Sequence, residues 1–156
     1  MARALTILAL AILICGPAAA AEADHSGVWR YVAAGSHWST GDLPKEFSLQ
    51  IEMNFARAKL TYVSVNDTDR NKIGRLEFVA PLDGTVVPIE NQARYNQVSV
   101  KRTGPNELEI LQLKDGDVIV GSFYTFSPDG KTFVRRGVGK SPEGKSKAYQ
   151  ETFQRQ

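Results

Sequence analysis

"KEFSLQIEMNF", residues 45–55, sets Phe47, Leu49, Ile51, Met53 and Phe55 on one side and Glu46, Ser48, Gln50, Glu52 and Asn54 on the other. A period of two is that of a strand with one dry face and one wet face. The chain around it is punctuated to match. "KDGD" at 114–117 places Asp115-Gly116 between apolar runs, a two-residue hairpin turn whose glycine accepts positive φ. "SPDGK" at 127–131 and "SPEGK" at 141–145 are near-copies, proline presetting the first turn residue and glycine the left-handed one. "LDGT" at 82–85 and "TGPNE" at 103–107 read as turns in the middle. Strands are expected near 26–33, 45–55, 58–66, 72–80, 94–102, 106–113, 117–126, 131–138 and 146–154, with 34–44 the one long loop.

Strands joined by turns this short pair antiparallel, because a parallel pair needs a long crossover. A sheet of so many strands twists and curls, and closing it removes its exposed edges. The expectation is an all-β chain folded as an antiparallel up-and-down β-barrel of about 8–10 strands, with a two-sheet sandwich as the alternative.

Ahead of this region lies "MARALTILALAILICGPAAAAEADHS", in which Arg3 precedes an apolar run from Ala4 to Ile14 and then Pro17 and a string of alanines. That is the layout of an export signal, and the run is too short to span a membrane. Cleavage after Ala20, Ala21 or Ala23 suits the small residues there; Ala23 is preferred, leaving residues 1–23 as signal and 24–156 as one domain. A secreted or periplasmic bacterial protein is expected, without a transmembrane segment. The single cysteine, Cys15, falls inside the signal. Lipidation there is the alternative, although Ile14 stands where lipoprotein processing wants a small residue. The exported domain then has no disulfide and no thiol chemistry.

The formal net charge is +2, from 19 basic and 17 acidic residues. That balance argues against nucleic acid as a partner. Lys131, Arg135, Arg136, Lys140, Lys145 and Lys147 crowd one region against Glu143 alone. A solvated basic face is expected, with an anion- or membrane-facing patch as the alternative.

Reactive constellations are sparse. His25 sits at the new terminus, where exposure is expected, and His37 in the long loop beside Trp38. No His-x-x-x-His, acidic calcium loop, phosphate cradle or nucleophile elbow occurs. "NDTDRN" at 66–71 reads as a hairpin loop, and Glu107 and Glu109 as a wet outer face. No catalytic residue, metal ligand or cofactor is assigned, and an enzyme using a carboxylate inside the barrel is the least favoured reading. Binding needs only a lined space and a few polar anchors. Alternation nominates Phe47, Leu49, Ile51, Met53, Leu76 and Phe78 for that lining, with Tyr62, Phe123 and Phe133 as companions. "VIVGSFYTF" at 118–126 is apolar on both faces, and Gly121 suggests a bend or bulge within it. Arg135 shares a face with Phe133. Turned inward, it needs an acid or an anionic ligand to meet it, so it is expected to snorkel to a rim.

The segment "SGVWR" at 26–30 carries Gly27-Val28-Trp29 and resembles the Gly-x-Trp that opens the first strand of lipocalins. The resemblance implies that Trp29 closes the barrel bottom and that Arg155, in "ETFQRQ", packs across it. Over most of the domain the chain is also similar to small exported bacterial proteins described only as hypothetical or lipocalin-like. The similarity rests on Pro44-Lys45 through Ile51-Glu52, Asp83-Gly84 through Pro88, Val98 to Arg102, and Ser127 to Thr132. It implies an exported barrel and brings no established activity. The function expected is binding of a small apolar or amphipathic ligand, anions such as fatty acids included. The alternative is a filled barrel serving as an interaction module of the envelope.

Overall fold

The dry face of the opening stretch lies inside a barrel. The computed structural model describes residues 24–41, 48–69, 72–90, 92–140 and 144–156; the export signal expected over 1–23, and Phe47, lie outside them. The strands are β1 (Gly27–Trp38), β2 (Ser48–Ala56), β3 (Lys59–Asp69), β4 (Lys72–Pro81), β5 (Asp83–Pro88), β6 (Gln97–Gly104), β7 (Glu107–Lys114), β8 (Asp117–Phe126), β9 (Thr132–Lys140) and β10 (Ser146–Arg155). In β2 the residues Leu49, Ile51 and Met53 are buried while Ser48, Gln50, Glu52 and Asn54 are exposed. No helix occurs among the described residues.

The ten strands form one antiparallel sheet in the order β4-β3-β2-β1-β10-β9-β8-β7-β6-β5. Its two edges, β4 and β5, are consecutive in sequence and joined at Leu82, whose N–H donates to Ala58 O and whose carbonyl accepts from Arg102 N–H. The sheet therefore rolls until its edges meet, giving a nearly closed barrel.

Three expectations about the strands need correction. "LDGT" is not only a turn: Leu82 turns the chain, and Asp83 already opens β5, a strand the sequence reading missed. Residues 34–38 are not loop but the end of β1. There, 33–36 bulge opposite Glu151, between the pairs Val32↔Thr152 and His37↔Gln150. Ser36 holds the bulge, its hydroxyl donating to Val32 O and accepting from Thr152 N–H. In β8 the irregularity falls at Ile119 rather than Gly121, since Leu113 pairs with Val118 and Gln112 with Val120.

One end of the barrel is solid. Trp29 packs edge-on against Phe133 with centroids 5.0 Å apart, and Phe133 stacks on Phe153 at 4.5 Å. The Arg155 guanidinium lies 5.3 Å over the Trp29 ring. Gly27 is what permits this, because a Cβ there would come within 2.9 Å of Arg155 Nε. His25 is not exposed at a frayed terminus: it is 2 % exposed and stacks on Phe126 at 4.0 Å. Its Nε2 lies 3.2 Å from Pro105 O.

Burial pushes the His25 imidazole below its ordinary value, against the carbonyl of Pro105, with Arg102 adding to the depression. The folded chain thus prefers neutral His25, and the unfolded chain binds the extra proton as pH falls below about 6.5. Melting temperature is expected to drop between pH 7 and pH 5 more steeply in the parent than in His25→Leu, which circular dichroism melts at stepped pH will read. Parallel slopes in the two proteins would contradict a neutral plug at this end.

Candidate functional site

Inward residues change character along each strand. On β9 they run Phe133, Arg135, Gly137 and Gly139 from the solid end outward, and on β8 Phe126, Tyr124, Ser122 and Val120. Small and polar side chains cannot fill the outer half, and a chamber of about 450 Å3 opens there. Tyr62 sits at its base, stacked on Phe78 at 4.8 Å, with its hydroxyl 3.2 Å from that of Tyr124. Burial pushes both phenols above their ordinary range, so they stay protonated and can donate.

The chamber's one carboxylate among the described residues is Glu151, 3 % exposed. Its Oε1 accepts from Trp38 Nε1 at 2.9 Å, and its Oε2 from Arg135 Nε at 2.8 Å and from the Nη2 of the same guanidinium. Arg135 also lies over the rings of Phe153 and Tyr149, at 5.3 and 5.5 Å. Burial works against the charge on Arg135, but Glu151 and the surrounding phenols outweigh it and hold the guanidinium protonated. It does not snorkel to a rim, because β10 supplies the acid that meets it.

The bulge in β1 places the third member. It adds three residues between Val32 and His37 relative to β10, reversing which side chains point inward; Trp38 then reaches Glu151 while His37 faces out. On β9, Gly137 leaves room for Tyr149 of β10, whose hydroxyl crosses to Ser122 Oγ at 2.6 Å; a Cβ at Gly137 would collide with that ring and with Gly121 O.

Over the mouth runs the β5–β6 connection. Gln92 Nε2 donates to Arg75 O on β4 at 2.6 Å, and Arg94 donates to Lys140 O on β9. Arg94 and Lys147 line the chamber. The Lys147 amine lies 2.8 Å from the centre of the Trp38 ring. Burial pushes it down to about 8, with Glu151 opposing and Arg135 and Arg94 reinforcing the shift. Arg75 also borders the space, but it is paired with Glu77 at 2.8 Å on the exposed side. Arg94 at the exposed rim and Arg135 and Lys147 deeper in thus face one carboxylate.

Of the residues nominated from alternation, Leu49, Tyr62, Leu76 and Arg135 line the chamber. Ile51, Met53, Phe78 and Phe133 do not: they are packed in the solid half, where large side chains leave no space. Phe123 is misassigned, being 52 % exposed on the outer wall, because Tyr124 and Phe126 hold the inward positions of β8. Trp38, Arg94, Lys147, Tyr149 and Glu151 were missed. The β10 stretch "KAYQETF" carried a signal, since an inward Phe153 makes Glu151, Tyr149 and Lys147 inward too.

Removing the charge of Glu151 leaves Arg135 and Trp38 facing a buried space without their acceptor. Glu151→Gln is expected to cost about 3 kcal/mol or more of unfolding free energy, as breaking buried ion pairs generally does. Arg135→Met combined with Glu151→Met is expected to cost less than the sum of the single changes. Urea denaturation of the parent and the four variants measures both.

No family model and no curated protein matches the chain. Among solved structures, it is similar to the zebrafish ileal bile acid-binding protein complexed with cholic acid, at 12 % identity and a TM-score of 0.54, over 84 % of this chain and 98 % of that one. It also aligns with an S-type phycobiliprotein lyase from Guillardia theta and with a lipid binding protein from Caenorhabditis elegans. Each is 14 % identical with a TM-score of 0.48 over 84 % of this chain, covering 88 % and 94 % of those chains respectively. The zebrafish structure establishes a shared β-barrel fold.

Proposed function

We propose that this is an exported, non-enzymatic barrel that binds a small amphipathic anion in the half-chamber at its mouth. The observation that carries the reading is the charge of that chamber: Arg94, Arg135 and Lys147 against Glu151 alone. Glu151 is already spent on Arg135 and Trp38, which leaves Arg94 and Lys147 to meet an incoming anion. A volume of about 450 Å3 lies within the usual ligand-pocket range of roughly 300–1,000 Å3. Leu49, Leu76 and Val120 offer apolar surface, while Ser64, Ser122 and the phenols offer hydrogen bonds. The solid half below stops a long chain from threading through, so a compact or short ligand fits better than an extended one.

What favours binding over catalysis is the state of the one interior carboxylate among the described residues, both of whose oxygens already accept hydrogen bonds. A general base needs an oxygen turned towards substrate.

Cholate and dodecanoate serve as probes, with dodecanol as the uncharged control. Each anion is expected to raise the melting temperature saturably, since a ligand selective for the folded state stabilises it by mass action, and dodecanol to do so less. Lys147→Met is expected to weaken the anions by about tenfold, the worth of one charge-assisted contact, and dodecanol little. Anion affinity in the parent is expected to be full below pH 8 and to fall as pH rises through about 8, where Lys147 loses its proton. Absence of any saturable shift would favour the filled interaction module instead.

A further inference from the structure

The outer wall of β8, β9 and β10 carries a second concavity, of about 640 Å3. Its floor is a cross-strand row of small outward residues, Gly121 paired with Val138 and Val138 with Ala148. One wall is the next row, Phe123 paired with Arg136 and Arg136 with Gln150. The other is formed at the mouth end by Val118, Ile119 and Lys140. Phe123, Val118 and Val138 are 52 %, 51 % and 58 % exposed, a concentration of bare apolar surface that folding does not require.

The floor glycines differ in their reasons. Gly137 is demanded by the Tyr149 ring, and at Gly139 a Cβ would crowd Val120 at 3.1 Å. Gly121 has neither cause. Its φ is outside the left-handed region, and a Cβ would meet only Leu111 Cδ2, at 3.6 Å, an ordinary contact. Glycine weakens a strand interior and otherwise marks a bulge or a place where a ligand approaches the backbone closely. The bulge here is at Ile119, which leaves a bend of the barrel wall or the close approach of a ligand.

We propose that this trough is a second ligand site, taking a flat apolar molecule with an anionic group. The rings or chain would lie on Gly121 against Phe123 and Val138, with the anion towards Arg136 and Lys140. Charge complementarity selects that ligand: among the described residues Arg136 and Lys140 line the trough and no carboxylate does, Glu109 and Asp117 standing outside the lining. Arg136 is held in place by its Nε donating to Gln150 Oε1 at 2.8 Å. The site stands independently of the inner chamber.

Gly121→Val fills the floor and suits a strand, so it tests the site without threatening the fold. The probe is 8-anilinonaphthalene-1-sulfonate, followed by fluorescence and calorimetric titration. The parent is expected to bind two molecules per chain. Gly121→Val is expected to keep one, whose affinity Lys147→Met then lowers, and Arg136→Gln to weaken the outer molecule by about tenfold. One molecule in the parent, lost in Gly121→Val, would uphold the trough and defeat the chamber reading. Unchanged stoichiometry and affinity in Gly121→Val would overturn the trough. So would absence of outer binding together with dimerisation, or with capture by phosphatidylglycerol vesicles, that Gly121→Val abolishes; a second copy or a membrane would then own this face.

Discussion

A carboxylate enclosed as completely as that of Glu151 persists as an anion only when its lone pairs are met, since an isolated buried charge costs far more than a fold can spare. Arg135 and Trp38 meet them, from the next strand on one side and from the far end of β1 on the other. Three neighbouring strands, β9, β10 and β1, are thereby tied across the mouth half by side chains as well as by their ladders. An apolar filling would have closed this half. A satisfied charged group keeps it polar, with the Tyr149 ring lying beside the Arg135 guanidinium.

The division between solid and hollow halves follows from a gradient repeated along the strands. Inward residues on β3 run Leu60, Tyr62, Ser64; on β4 Ala80, Phe78, Leu76; on β10 Phe153, Glu151, Tyr149 and Lys147. On β3 and β10 polar side chains replace apolar ones towards the mouth, while β4 stays apolar throughout. At the solid end, Trp29, Phe126 and Phe133 interlock with His25 beneath them. That end is packed with large apolar side chains, whose burial stabilises the fold. The mouth half is then at liberty to carry charge, because it is not asked to hold the barrel together.

This gradient explains how far the residues could be read. Alternation located the strands and turn chemistry joined them, because both are local and periodic. Leu49, Ile51 and Met53 all belong indoors, but whether an indoor residue meets a cavity or a packed neighbour depends on its height in the barrel, which a period of two does not encode. Trp38 illustrates a second limit. Counted in twos from Trp29 it points outward, and only the bulge at 33–36, held by Ser36 and by Gly35 at a φ of 76°, turns it in. Phe123 and Tyr124 show a third, since in a strand apolar on both faces neither face announces itself as the inner one. Arg135 was flagged from its position beside Phe133, but its partner lies sixteen residues on, across a hairpin whose register had to be built before Glu151 stood opposite it.

The two concavities also share a wall. Gly139 and Tyr149 border both the chamber and the outer trough. Where β9 runs Gly137-Val138-Gly139, no inward side chain thickens the sheet, and the Tyr149 ring fills the gap left by Gly137 from within. The hydroxyl of that ring is fixed to Ser122, on the strand that contributes the trough's Gly121 and Phe123. A displacement of Tyr149 is therefore felt on both sides of one thin layer: inside, where it stacks with Arg135, and outside, where it forms part of the trough's base. Close packing transmits such shifts rather than absorbing them. The two spaces thereby lie on either side of a single layer, whose common part is one aromatic ring and the glycine that makes room for it.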